Sequence, residues 1–332
     1  MSLVPTVYES TDPGAPQLTG QVGSLTALLD AVLVDGYGVG AERKSGAGWS
    51  RVFSAPNVRA YRGSLTTGSG YYLQIDDTAS VGNARHGWAR GYEAMTSAVA
   101  GSNPVPTIAH RANGILLPKS TTLDSVARRW RVIANERFVY LFVDTRGAGS
   151  LFCWFAGDCI SYKPGDAHNF VVSCVNTSSW TGGYSDNAYL LTWFRYDYAP
   201  DSTSCSLFIA RAHTGAVGAV PCAHFGALQP GTMFGGTGGG AYPSGINQGL
   251  VYEPARFTSI AYGPRGELPG LLAPMQNIAG TDYLLDGQII EGLNGAVTDR
   301  VMAVRTNRAC NIDTGTTWRG VVLVRISGGW GE

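Results

Sequence analysis

The chain has 332 residues, enough for one large domain or two smaller ones around a sizeable core. Hydrophobic residues make up 44% and charged residues only 14%, against about 25% charged in ordinary globular proteins; a disordered chain is excluded, because solvated segments need charge. The formal net charge is zero, so nothing electrostatic favours nucleic acid or an anionic membrane as a partner.

Residues 1–20 read as an extended arm. Pro5, Pro13 and Pro16 stand among Ser, Thr and Gly and exclude a helix there. Val4, Val7 and Tyr8 are the arm's candidate anchors for docking onto a neighbouring subunit by strand addition. Ser24 then fits an N-cap, and Leu25, Leu28, Leu29 and Val32 follow at helical spacing. The spacing predicts one short amphipathic helix over 24–34, ended by Gly36 and Gly38. The arm and helix together form residues 1–45, and residues 46–332 form a β-rich body.

Beyond residue 46 the pattern is two-residue alternation punctuated by turn residues. The 45 glycines and 11% aromatics fit the same reading. Strands are expected at 50–54, 58–63, 70–76, 87–94, 130–134, 137–144, 151–156, 168–175, 188–196, 205–212, 249–253, 257–263, 282–291, 300–305 and 318–326. In Arg137-Phe-Val-Tyr-Leu-Phe-Val-Asp144 aromatic and aliphatic residues run together, as in a strand covered on both faces. Ala134-Asn-Glu-Arg137 supplies turn residues, so 130–144 reads as a hairpin. The stretch 226–249 reads as one long Gly-rich loop. The expected fold is all-β: an antiparallel sandwich or jelly-roll-like body, as one unit or as two packed lobes with a boundary near 115–130.

No enzyme motif stands up. Gly36-Tyr-Gly-Val-Gly-Ala41 has the spacing of a dinucleotide fingerprint. A helix precedes it where a strand is required, so helix termination accounts for it. Cys205, His213, Cys222 and His224 supply metal-type donors, but without any compact ligand spacing. The acids Asp76 with Asp77, Asp158 with Asp166, and Asp197 with Asp201 could flank a scissile glycosidic bond. They also sit where turns between strands place aspartates. No Gly-x-Ser-x-Gly elbow and no His-Glu-x-x-His helix occurs. The chain is expected not to be an enzyme, and no catalytic residue, metal or organic cofactor is assigned.

Of the six cysteines, Cys153 and Cys159 could pair if Gly157-Asp158 forms a turn; buried free thiols are the alternative. The N-terminal residues show no charged region followed by an apolar run, and no run approaches the ~18 apolar residues of a membrane helix. Folding in a cytoplasm, without membrane insertion, is the expectation. The richest surface candidate is Ser179-Trp-Thr-Gly-Gly-Tyr-Ser-Asp186. There Trp180 and Tyr184, with Tyr242 in the long loop, could stack on sugar rings or anchor a protein interface.

Several blocks carry a resemblance. They are Val7 to Gly38; Ala47-Gly-Trp49 with Phe53; Tyr72-Leu-Gln-Ile-Asp-Asp-Thr78; Ala89-Arg-Gly-Tyr-Glu-Ala-Met95; Phe155-Ala-Gly-Asp158 through Gly165-Asp166; Gly249-Leu-Val-Tyr-Glu-Pro254; and Arg265-Gly-Glu-Leu-Pro-Gly-Leu-Leu-Ala-Pro-Met-Gln-Asn277. Together they resemble a family of virion structural proteins of tailed bacteriophages. The resemblance implies a tail-tip or baseplate subunit, assembled in the bacterial host cytoplasm, whose partners are other copies of itself and other virion proteins. A trimer is the first expectation and a ring matching a sixfold tail the second. The alternatives are a virion-displayed protein that binds a host receptor or surface glycan, and a polysaccharide depolymerase.

Overall fold

The computed structural model describes residues 4–80, 83–109, 111–147, 151–173, 207–216, 222–225, 252–259, 263–274, 284–292, 299–306 and 320–327. The fold is all-β; among the described residues there is one short α-helix, and every strand pairing is antiparallel.

The smaller sheet contains β2 (Ser50–Ala55), β3 (Val58–Arg62), β4 (Tyr72–Asp76), β5 (His86–Ser97) and β6 (Ala100–Val105) in sequential order, and β7 (Ile115–Pro118) pairs with β5. The larger sheet runs through β1 (Thr6–Glu9), β8 (Trp130–Ala134), β9 (Phe138–Val143), β10 (Phe152–Asp158), β12 (Phe170–Ser173), β13 (Leu207–Ile209) and β14 (Cys222–Phe225). It continues through β15 (Tyr252–Ser259), β16 (Gly263–Pro274), β19 (Gly320–Arg325), β18 (Arg300–Thr306) and β17 (Ile289–Glu291); β11 (Ile160–Ser161) pairs with β16.

The period-two alternation of β8 to β12 separates two cores. Val139, Leu141 and Val143 of β9, with Trp130, Val132 and Trp154, face Tyr61, Leu73, Ile75, Ile115 and Leu117 of the smaller sheet. Phe138, Tyr140 and Phe142, with Phe155 and Val171, face Phe257, Leu268, Leu271, Met302, Val304, Val322 and Val324. The larger sheet therefore folds back on itself, and the described residues form three layers: the smaller sheet, a middle layer from β8 to β13, and the returning strands β15 to β19. All six residues of β9 are buried, as expected for a strand covered on both faces. The β8–β9 hairpin has the register Trp130 to Val143 and Ala134 to Val139.

The helix is shorter than the spacing predicts. α1 covers Ser24–Leu29, and Asp30–Asp35 continues it as a wider π-helical turn. Leu25, Leu28, Leu29, Val32 and Leu33 all reach the first core. Gly36 ends the run at φ 75°, where an added Cβ would meet the Lys44 carbonyl oxygen at 2.4 Å. Ser24 is not the cap: it is already helical, and its hydroxyl donates to the carbonyls of Thr19 (2.9 Å) and Gln21 (3.0 Å). The amide of Leu25 instead donates to the Asp77 carboxylate at 2.8 Å, from the end of a strand 52 residues away.

The N-terminal segment is also corrected. It does not extend from the body: β1 is an edge strand of the chain's own larger sheet, with Thr6 opposite Ala134 and Glu9 opposite Arg131. Leu18 forms a further bridge to Arg128. Tyr8 and Leu18 are fully buried, and their area removed from water holds the segment down. Prolines exclude a helix, but they leave an edge strand permitted.

Five strands, β1, β6, β7, β11 and β14, fall where the sequence reading expects none. The β6 sequence, Ala-Gly-Ser-Asn-Pro-Val, is mostly exposed at the sheet margin, and β7 is four buried residues. The strands expected at 249–253 and 257–263 are instead β15, and Gly263–Pro274 forms the long β16 beside it.

Candidate functional site

The sequence-predicted surface aromatics, Trp180, Tyr184 and Tyr242, lie outside the described residues, as does the loop 226–249. Cys205, Asp197 and Asp201 also lie outside them. Among the arm anchors, Val4 is 54% exposed, Val7 is half-buried against the second core, and Tyr8 is buried in the first.

Four side chains hold the N-terminal segment. Tyr8 donates its hydroxyl to the Ser45 carbonyl (2.8 Å). Asp12 accepts from Lys44 Nζ (2.7 Å), from the Tyr37 hydroxyl (2.5 Å) and from the Glu9 amide (2.7 Å). Burial pushes Asp12 up, but these three donors outweigh it and hold the carboxyl below its ordinary range. Burial pushes Tyr8 up to about 12, so its phenol stays protonated.

A second cluster joins the smaller sheet to the middle layer. Tyr71 stacks on Phe170 with ring centroids 5.2 Å apart. Its hydroxyl lies 3.1 Å from Glu93 Oε1 and 3.1 Å from His168 Nδ1. Glu93 of β5 accepts from Arg211 Nη2 (2.5 Å) and from Asn103 Nδ2 (2.6 Å). Burial raises Glu93, and the donors Arg211, Asn103 and Tyr71 bring it net below its ordinary value. Behind His168, Arg265 of β16 donates through Nη2 to Asp166 (2.9 Å) and to the carbonyls of His168 (3.1 Å) and Arg211 (3.2 Å). Sequence reasoning missed this cluster, because its members are scattered over strands and turns with no shared spacing.

Of the paired acids, the four that are described each have partners of their own. Asp76 accepts from the amide (2.9 Å) and hydroxyl (2.6 Å) of Thr78, as a turn residue does. Asp158 is buried and accepts from the Ser69 amide at 2.7 Å, while Asp166 pairs with Arg265 at 2.8 Å. Asp77 is fully buried against Lys119 and the start of α1.

Cys153 and Cys159 are free and buried, not paired. The strand β10 runs on through Gly157 and Asp158, so the turn that pairing required does not form. Burial pushes both thiols far up, which keeps them in the unreactive protonated form. Among the described residues, no group of three or more His, Cys, Asp or Glu side chains could hold a metal ion. Among the same residues no helix is long and apolar enough to cross a membrane.

Chemically, these clusters act as clamps. Their acids are neutralised by fixed cations or backbone amides, and their phenols stay protonated. Each ties two separate elements together. No protein-family model matches the chain, and no curated protein matches it.

Proposed function

We propose that this chain is a structural subunit of a tailed-phage particle, associated with the tail tip or baseplate, and that it works by holding its place between other subunits. The observation that carries the reading is the use made of ionisable side chains among the described residues. Asp12, Asp77, Glu93, Asp158, Asp166, Lys44, Lys119, Arg211 and Arg265 all join elements of the chain to one another. That is the chemistry of a part that must keep its shape. A charged fraction of 14% supports it, since sparsely charged surface favours association. The resemblance carried by the Arg265–Asn277 stretch and the other quoted blocks supplies the particle.

With β1 built into its own sheet, contacts between copies fall to other surfaces. Closed rotational symmetry is the default for repeated subunits, with a trimer as first choice and a sixfold ring second. Mass measurement of the purified protein and its position in a particle reconstruction test the reading. The expected result is an oligomer located in the tail. A soluble monomer absent from purified virions overturns it.

A further inference from the structure

Asp77 follows β4, Lys119 follows β7, and both side chains are wholly excluded from solvent. Lys119 Nζ contacts Asp77 Oδ1 and donates to the Gln21 carbonyl at 2.6 Å. Asp77 Oδ2 accepts the Leu25 amide at 2.8 Å. The backbones on both sides are fixed: the Asp77 amide donates to the Asn57 carbonyl (2.9 Å), the Gly23 amide to the Asp77 carbonyl (3.2 Å), and the Lys119 amide to the Arg85 carbonyl (2.8 Å). An amine and a carboxyl group are thus in contact, in a dry site, between backbones that are hydrogen-bonded in place.

We propose that Lys119 and Asp77 condense into an intramolecular amide, a covalent cross-link between the end of β4 and the segment after β7. The ammonium first passes one proton to Oδ1. The neutral amine then attacks Cγ and forms the N–C bond, and Oδ2 takes up negative charge facing the Leu25 N–H, which stabilises it as a fixed backbone donor does. The C–Oδ1 bond breaks, and Oδ1 leaves as water with a second proton from the nitrogen. One ammonium and one carboxylate become one amide and one water, so no oxidant, reductant or other reactant is needed.

Three physical factors favour the step. Fixed contact replaces a bimolecular encounter, a large advantage in effective concentration. Burial pushes Asp77 up to about 6 and Lys119 down, each toward the neutral form that reacts. The product also removes two charges from a site where an ion pair repays its desolvation poorly. The proposal is independent of the particle role.

Mass spectrometry of the full chain tests it directly. The intact protein is expected to be one water lighter than its sequence. Tryptic digestion of the denatured protein is expected to give a branched species joining Gly63–Arg85 to Ala112–Arg128, uncut at Lys119. Lys119→Arg, which cannot condense, is expected to restore the full sequence mass. A full-mass wild-type protein cleaved normally at Lys119 overturns the proposal. So does a water loss confined to the Gly63–Arg85 peptide, which would mark a cyclised aspartate, or one that persists in Lys119→Arg.

Discussion

The middle layer and the smaller sheet bury their strands to different depths. In β9, β10 and β12 every residue is buried. In β2 the pattern is mostly exposed, and β6 is exposed over its first four residues. The smaller sheet has a large core on one face and only a small cluster of Phe53, Ala60, Tyr72, Tyr92 and Met95 on the other. A strand between two cores is specified by apolar volume alone, whereas a strand at a margin is specified by its neighbours and its turns. Substitutions should therefore act very differently in the two regions.

The largest effect is expected at Phe155, fully buried between layers. Phe155→Ala should destabilise by about 3–5 kcal/mol, read by urea unfolding. A loss below about 1 kcal/mol would show that the returning strands do not pack on this face.

His86 sharpens the contrast from the buried part of the smaller sheet, as the first of a run of seven buried residues in β5. Burial is the main cause that depresses it to about 4 from 6.5. The unfolded chain therefore binds a proton below about pH 6.5 that the folded chain refuses. Stability should fall as pH drops from about 6.5 to about 4, by about 3 kcal/mol at most, and level off below. Unfolding of wild type and His86→Gln across that window checks it; equal slopes in the two proteins would remove His86 as the cause.

The Glu93–Arg211 clamp is partly exposed, and solvent screens it. A double-mutant cycle with Glu93→Gln and Arg211→Met should give a coupling of about 1 kcal/mol or less, weakened by salt. A coupling that salt leaves unchanged would mean the pair is drier than described. The smallest effect is expected at the outer face of the smaller sheet. Phe53 stacks on Tyr72 at 6.4 Å, and Phe53→Ala should cost about 0.5–1 kcal/mol. A loss like that of Phe155→Ala would erase the difference between the two regions.

The same contrast governs what could be read from the sequence. β8 and β9 were legible because their aromatic and aliphatic run has one reading, a doubly covered hairpin. β6 was not: Gly101, Ser102, Asn103 and Pro104 look like a turn, and only pairing with β5 extends them. The N-terminal segment was misjudged because its partner is remote in sequence. Its prolines argue truly against a helix, but nothing local says that Tyr8 will be buried against Tyr37, whose ring in turn meets Trp130 edge-on. The helix start was misassigned for the same reason, since its cap is Asp77 and not the adjacent serine. Of the clamps, the residues Asp77, Asp158 and Asp166 stood out in the sequence as acids in turns, but their partners Lys119, Ser69 and Arg265 did not. Such pairs are products of topology and carry no spacing.

The position of β1 has a consequence for the order of events on the ribosome. Its partner strand β8 lies far downstream, Arg131 following Glu9 by 122 positions. At ~5–20 residues per second, β1 leaves the ribosome roughly 6–24 s before β8 exists. During that interval Tyr8 and Leu18 have no core to enter. The first strand translated thus waits for the eighth, and until β8 is made β1 offers bare edges to any other strand in the cell. Ribosome-stalled chains ending beyond β12 should protect Tyr8 from protease, while chains ending at Arg128 should leave it open to cleavage.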